Sequence, residues 1–314
     1  MNVLMQREAD RVEVMVLVDN YTDILQMQQT ELVRRSQVPP PNALYAEHGL
    51  SCLVTVHAGG EKHAVLMDAG ISPECLIHNA EVLNLDLSSI EAIALSHGHF
   101  DHFGGLIPVL RRIGGSRPLY LHPDAFLPRR MNLPGLERPV PLPRLDRDAL
   151  QAGGAEIRAS QDATTFAGGL LSLTGEIERK TPYEKGFPLA EAEIDGRWIV
   201  DPFRDDQALI AVLKGKGLVI ISGCAHAGIV NTVEHARSVT GVQRVHAILG
   251  GFHLTGPLFE PVIPQTIAGI QTIRPDWLMP MHCTGWNAIT QFAGAFPEQF
   301  ILNTVGTVYS FQGS

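Results

Sequence analysis

Ser96-His97-Gly98-His99-Phe100-Asp101-His102-Phe103-Gly104-Gly105 is the stretch on which the reading of this chain turns. Residues 90–95, Ile-Glu-Ala-Ile-Ala-Leu, precede it and read as a short buried strand. A helix is predicted over 105–113, stopped by Gly114-Gly115. Between them the spacing H-x-H-x-D-H crowds three imidazoles and a carboxylate into six residues. Gly98 allows a tight backbone path between the first two imidazoles. Imidazole nitrogen and carboxylate oxygen suit a borderline cation such as zinc. Four donors on one loop are hard to aim at one ion. They more naturally feed two ions about 3.5–4 Å apart that share a bridging water. A solvated surface histidine cluster is the competing reading. Position counts against it, because the motif leaves a buried strand and enters Gly-Gly and a helix.

The pattern repeats outward. Strands are predicted at 12–19, 50–57 and 64–67, the last two joined through Gly59-Gly60. A helix fits 73–84, and Asp86 reads as a helix start. Residues 116–150 are rich in Pro and Arg and lack the apolar periodicity of a core. They are expected to be an insertion or lid on a single domain spanning 1–314. Strand signals resume over 156–173 and recur at 197–200, 208–212, 217–222, 245–249 and 277–280. Helices fit 228–239 and 262–273, and strands at 300–302 and 307–311 close the chain. Apolar runs repeatedly end in a chemical side chain: Asp19, Asp68, Cys224 with His226, His253 and His282. A rigid sheet can aim several such ends at one point.

Composition narrows the partners. Lys+Arg number 24 against 33 Asp+Glu, a formal charge of −9, so a nucleic-acid backbone is not the expected partner. Hydrophobic residues at 45% exclude disorder as the main state. No apolar run reaches the ~18 residues of a membrane span. The first ten residues mix charges and lack the apolar core of a secretion signal. Four scattered cysteines imply free thiols in a reducing cytoplasm rather than a disulfide framework. The expected partner is a small molecule, with neither nucleic acid nor membrane, and no oligomeric state is implied.

The loop 96–102, the turn Leu66-Met67-Asp68-Ala69-Gly70 upstream and Leu278-Met-Pro-Met-His282 downstream together resemble the metallo-β-lactamase superfamily. Leu17-Val-Asp-Asn20, Ala46-Glu-His-Gly-Leu-Ser51, Ser222-Gly-Cys-Ala-His226, Gly250-Gly-Phe-His253-Leu254 and His282-Cys-Thr-Gly285 are similar to one subgroup, the 7,8-dihydropterin-6-methyl-4-(β-D-ribofuranosyl)-aminobenzene-5′-phosphate synthase-like proteins. The resemblance covers about residues 10–312. It implies an α/β fold, a four-layer αββα sandwich with metals at one edge. It also implies metal ligation by His97, His99, Asp101, His102 and His282. Two departures stand out. Residues 173–177 hold no histidine where many members have one, and Cys224 occupies the place of a bridging aspartate. The subgroup pattern then points to His226 as the replacing ligand. Cys224 is either a soft ligand or, more plainly, a small buried residue. His253 is a ligand, an orienting group or a proton carrier. Glu47 and His48 are expected near substrate.

The chemistry expected is that of two divalent ions, zinc first with manganese or iron as alternatives. Such ions lower the pKa of bound water to about 7 and polarise a carbonyl or phosphoryl oxygen. Asp101 then both binds metal and steers a proton, with His253 as its catalytic partner. Asp68 is expected to orient a ligand. Arg129, Arg130 and Lys180 read as a solvated basic face, with anion binding as the rarer use. Cys283 and the remaining histidines read as structural. The leading function is a hydrolase acting on a small cyclic or phosphorylated molecule. The alternatives are a pterin-related transferase, as the subgroup implies, and a non-catalytic metal-binding protein. A redox role would call for iron and a flavin partner, and no flavin-binding segment is evident.

Overall fold

A computed structural model describes residues 4–314. The N-terminal reading therefore rests in part on three residues outside the described range. Two sheets dominate. One has eight strands in the order Ala155–Ala159, Arg117–Leu121, Ala92–Ala94, Glu61–Met67, Ser51–Ala58, Arg11–Val18, Val308–Gln312 and Val33–Arg34. The other runs Thr164–Phe166, Leu171–Leu173, Ala208–Leu213, Gly217–Ser222, Val245–Gly251, Trp277–Met281, with Glu8–Ala9 paired to Ala208–Leu213.

Strand side chains alternate between faces, and here both faces are covered. Val65 and Met67 point into the layer between the sheets, whereas Leu66 points to the helices Pro73–Val82 and Leu106–Ile113. Leu209, Ala211 and Leu213 join the inter-sheet core, and Ala208, Ile210 and Val212 meet Ile229–Thr240 and Ile263–Ile273. Three apolar layers thus separate four structural layers, αββα, as expected. This arrangement explains strands that read as apolar on both sides.

Several segments differ from the sequence reading. Residues 116–150 begin with Arg117–Leu121, a strand inside the eight-stranded sheet that pairs in parallel with Ala92–Ala94 and Ala155–Ala159. Their middle joins a separate four-stranded sheet, Arg197–Val200, Ala190–Ile194, Arg129–Met131 and Val140–Pro141. Its hairpin turns at Asp195-Gly196, both at positive φ. Residues 300–302 form no strand. A single bridge joins Phe300 to Leu278, because the chain passes this edge only briefly before turning. The helix Trp286–Ala295 was not foreseen from the sequence.

What matters for the site is direction. Glu61–Met67 and Ala92–Ala94 are parallel, and so are Gly217–Ser222, Val245–Gly251 and Trp277–Met281. The loops leaving their carboxyl ends gather at one edge of the sandwich, the usual location of a site in sheets of this kind.

Candidate metal centre

Backbone strain marks the edge. Asp68, Phe203, Ala225, His253 and His282 all have positive φ, between 45° and 59°. Non-glycine residues held there cost of order 1–3 kcal/mol each and persist where surrounding contacts over-determine them. At His282 those contacts are explicit. Its backbone N–H donates to Asp19 Oδ1 at 2.8 Å, and Asn303 Nδ2 holds the other Asp19 oxygen at 2.7 Å.

The strand ends bring seven donors into two sets. Asp101, His102, Cys224 and His282 form the first, and His97, His99 and His226 the second. In the first, His102 Nε2 lies 3.2 Å from His282 Nε2 and 3.2 Å from Cys224 Sγ. Cys224 Sγ is 3.5 Å from His282 Nε2. Asp101 Oδ2 is 3.4 Å from His282 Nε2 and 3.7 Å from His102 Nε2. A tetrahedral ion with bonds of roughly 2.0–2.3 Å needs ligand–ligand edges of roughly 3.3–3.7 Å. Three of these five edges lie in that range and the two at 3.2 Å fall just short of it, so the donors suit a four-coordinate cation with small adjustments. In the second set His99 Nδ1 is 3.2 Å from His226 Nε2. The His97 ring lies 4.7 Å from that of His99 and 4.8 Å from that of His226. Its Nε2 is buried without a hydrogen-bond partner. Three convergent imidazoles with an unpartnered nitrogen fit a cation that keeps an open position.

The electrostatics agree. Burial, reinforced by neighbouring His102, holds His97 well below its ordinary value. Burial likewise brings His99 down to about 3 and holds His226 well below its ordinary value, which favours the neutral rings that bind a cation through a free lone pair. Burial would raise Asp101, but His102 and His282 override it and hold the carboxyl far below the usual range. Burial would lower His102, yet Asp101 and Asp68 push it up to about 9. The His102 ring stands between the Asp68 and Asp101 carboxylates, which favour its charged form in the absence of a cation. Burial raises the Cys224 thiol, and coordination is what makes such a thiol ionise.

Supporting groups follow from the fold. Asp68 Oδ2 sits 2.6 Å from His102 Nδ1 and also accepts from Ser96 Oγ, while Asp68 Oδ1 accepts from Ser96 N. This carboxylate–histidine pairing fixes the ring and raises its basicity. His282 Nδ1 meets Asn20 Oδ1 at 3.3 Å. Phe203 stacks on His226, with centroids 4.4 Å apart, and stands edge-on to His99.

Arg129 is not on a solvated face. It is buried, donating from Nε to Asp201 at 2.6 Å and from Nη2 to Asp205 at 2.7 Å. Its Nη1 approaches Gly98 O at 3.4 Å, while Gly98 N donates to Asp205 Oδ2 at 2.8 Å. The peptide between His97 and His99 is thus clamped from both sides. A side chain at 98 would also collide with the Ala125 carbonyl, so glycine there serves close packing. Asp206 Oδ2 supports the other loop by accepting from Ala227 N. The sequence reading passed over residues 201–207. Three aspartates in six residues ahead of a buried strand were the available signal.

The expected substrate contacts separate. His48 is exposed at the mouth, with Nε2 3.5 Å from Asp101 Oδ2. Glu47 turns inward, where its carboxylate accepts from Ile71 N, Ser72 N and Ser72 Oγ. It braces the turn after Asp68 instead of facing the site. His253 reaches the edge, its ring 4.3 Å from His226, and Nδ1 is buried without a partner. Cys224, His226 and His253 also converge as a third group, so Cys224 lies where the sets meet. Arg130 pairs with Glu191 and Lys180 with Glu178, away from the donors. His57, His63 and His246 are held by Glu13, Glu91 and Asp276 as structural residues.

The profile of the Metallo-beta-lactamase superfamily matches residues 47–183. The chain is 32% identical over 270 residues to the 7,8-dihydropterin-6-methyl-4-(beta-D-ribofuranosyl)-aminobenzene-5′-phosphate synthase of Methanocaldococcus jannaschii, covering 85% of this chain and 91% of that protein. It belongs to the metallo-β-lactamase superfamily. Among solved structures of this superfamily, Tm1679, described as a metal-dependent hydrolase, aligns with a TM-score of 0.73 at 23% identity, covering 96% of this chain and 99% of its own. The metallo-β-lactamase fold protein YhfI of Bacillus subtilis aligns at 0.53 and 12% identity, covering 96% and 100%. These likenesses agree with the αββα layering. Superfamily membership and the donor sets together support divalent-metal binding. No helix among the described residues is long and apolar enough to cross a membrane.

Proposed function

We propose that the chain is a hydrolase in which two divalent cations, zinc first, activate water against a small substrate, cyclic or phosphorylated. The observation that carries this reading is the seven-donor arrangement: a four-donor set with most quoted edges of tetrahedral length beside a three-imidazole set with room for a fourth ligand. His97, His99 and His226 would hold one ion, and Asp101, His102, Cys224 and His282 the other. The sulfur donor favours zinc over manganese.

Bound there, the ions supply a hydroxide near neutral pH and a Lewis acid for the substrate oxygen. The chain's own groups do the rest. Asp101 keeps its carboxylate ionised, so that it would accept a hydrogen bond from water in the shared space and orient it without taking its proton. His48, half out of the fold, contacts substrate at the mouth. His253 has a free ring nitrogen on the far side, placed to carry a proton to the leaving group. The free thiols suit a reducing cytoplasm.

A second reading, a pterin-related condensation, is favoured by the 32% identity to the M. jannaschii synthase over nearly its whole length. Fold kinship alone does not decide between the reactions. Purified protein is loaded with zinc, manganese or iron, its metal counted, and assayed on ester, lactone and phosphodiester substrates. Turnover lost on chelation and restored by metal supports the hydrolase. Product formed only when dihydropterin and ribofuranosylaminobenzene partners are both present supports the second reading. Metal-loaded protein inert to every substrate leaves only a binding protein. His253→Ala is expected to retain both ions and lose turnover; loss of one ion would make His253 a ligand.

A further inference from the structure

Beside the second donor set, and bordered by its His226, lies a cavity of about 390 Å³. His226 and His253 close its inner end, and Tyr183, Phe252, Leu254, Leu258, Phe259 and Val262 line its walls. Phe259 stands edge-on to the His253 ring at 4.5 Å. The volume is near the small end of the range for small-molecule pockets, roughly 300–1,000 Å³. Tyr183, Phe252 and Phe259 offer rings against which a flat ring can pack offset or edge-on.

The cavity also shows what it refuses. The helix Ile229–Thr240 starts at its border after Gly228, whose φ is 99°. A helix start reached through a glycine turn from a strand end is ordinarily a ready anion seat. Here the seat is already filled from within the chain. Glu184 accepts from Val230 N at 2.9 Å and from Asn231 N at 3.0 Å, and Thr181 Oγ1 donates to it at 2.9 Å. The carboxylate packs so tightly on Gly228 that any side chain there would collide with it. The donors a phosphate would use are spent on the buried Glu184 carboxyl, which burial pushes above the ordinary glutamate value while these three hydrogen bonds oppose the rise.

We infer that this cavity receives an uncharged, flat ring of the substrate, with the reacting bond toward His226 and His253, and that Glu184 excludes anionic groups from its interior. That the ring belongs to the substrate rests on the proposed function; the selectivity for a neutral ring does not. A negative group on the substrate stays with the cations or at the mouth, where Lys185 is exposed.

Ligand-observed NMR and calorimetry on metal-loaded protein test this with indole and indole-5-sulfonate as probes. Indole is expected to bind at least about tenfold more tightly, because an anion inside would find the helix-start N–H donors already taken by Glu184 and would lose its water without replacement. Glu184→Gln is expected to narrow that preference to about threefold or less. Leu258→Glu, at a 46% exposed position that tolerates a polar side chain, is expected to weaken indole about fivefold or more with metal content unchanged. Sulfonate binding lost on chelation is the cation contact and supports the inference. Sulfonate binding equal to or tighter than that of indole that persists in chelated wild-type protein overturns it. So does unaltered indole binding in Leu258→Glu, which keeps the test open if Glu184→Gln fails to fold. Selective indole binding by a protein that shows no turnover would sink the hydrolase reading and leave the ring pocket standing. Turnover without selective indole binding would do the reverse.

Discussion

The two donor sets at the sandwich edge are built differently. Asp101, His102, Cys224 and His282 form a closed shell whose imidazoles are held from behind, His102 by Asp68 and His282 by Asn20. His97, His99 and His226 form an open set. The outer nitrogens of His99 and His226 are buried with no partner, and only His97 is braced, by Ser96 Oγ. Its order comes instead from the backbone, through the Arg129–Asp205 clamp on Gly98 and the stacking of Phe203 on His226. A closed, well-supported shell suits retention, whereas an open one suits exchange of water and substrate. The contrast predicts one tightly held ion and one looser, working ion.

His99→Ala breaks the comparison hardest. It should remove the looser ion and lower turnover by about three orders of magnitude or more, read by metal counting beside the assay. A variant that keeps two ions would take His99 off the ligand list. Cys224→Ser tests the closed set and should weaken its ion by about 10–100-fold. In cobalt-substituted protein the near-ultraviolet sulfur-to-metal band should vanish. If the wild type has no such band, the sulfur is only packing. Arg129→Lys keeps the charge but loses the fork that reaches two aspartates. It should cost about 1.5–3 kcal/mol of stability in denaturant titration. Occupancy of the open set should fall while the cobalt–sulfur band persists; equal loss from both sets would refute the clamp.

The smallest effect sharpens the same contrast by pH. In metal-free protein His97, His99 and His226 lie below their ordinary 6.5, so the unfolded chain binds more protons. Stability from the open set is complete above about 6.5 and falls as pH drops toward 3. His102, raised to about 9, acts oppositely: its contribution is complete below 6.5 and is lost as pH rises through 9. Equilibrium unfolding of the chelated protein should therefore decline on both sides. Flat stability from pH 4 to 9 would show that these rings are solvated.

Contiguity decided what could be read in advance. The loop 97–102 carries four donors in six residues, so local spacing alone announces a metal. Strands such as Gly217–Ser222 were equally plain, because burial on both faces leaves an unbroken apolar run. Arg129 was misread because a charged residue in a proline-rich stretch gives no local sign of burial. Only the meeting of residues 128–131 with 201–205 neutralises it. Glu47 was misread for a related reason: nothing in its neighbours along the chain reveals the free N–H groups of Ile71 and Ser72.

The sequence by itself determined the layered α/β class and the crowding of four donor side chains on one loop after a buried strand, since both depend on neighbours a few residues apart. Tertiary structure alone decided that Cys224 meets His102 and His282, that Asp205 and Arg129 hold the loop at Gly98, and that Glu184 fills its own helix start. Those outcomes depend on distances between residues far apart in sequence. Such distances come from packing two sheets face to face, which no local pattern encodes.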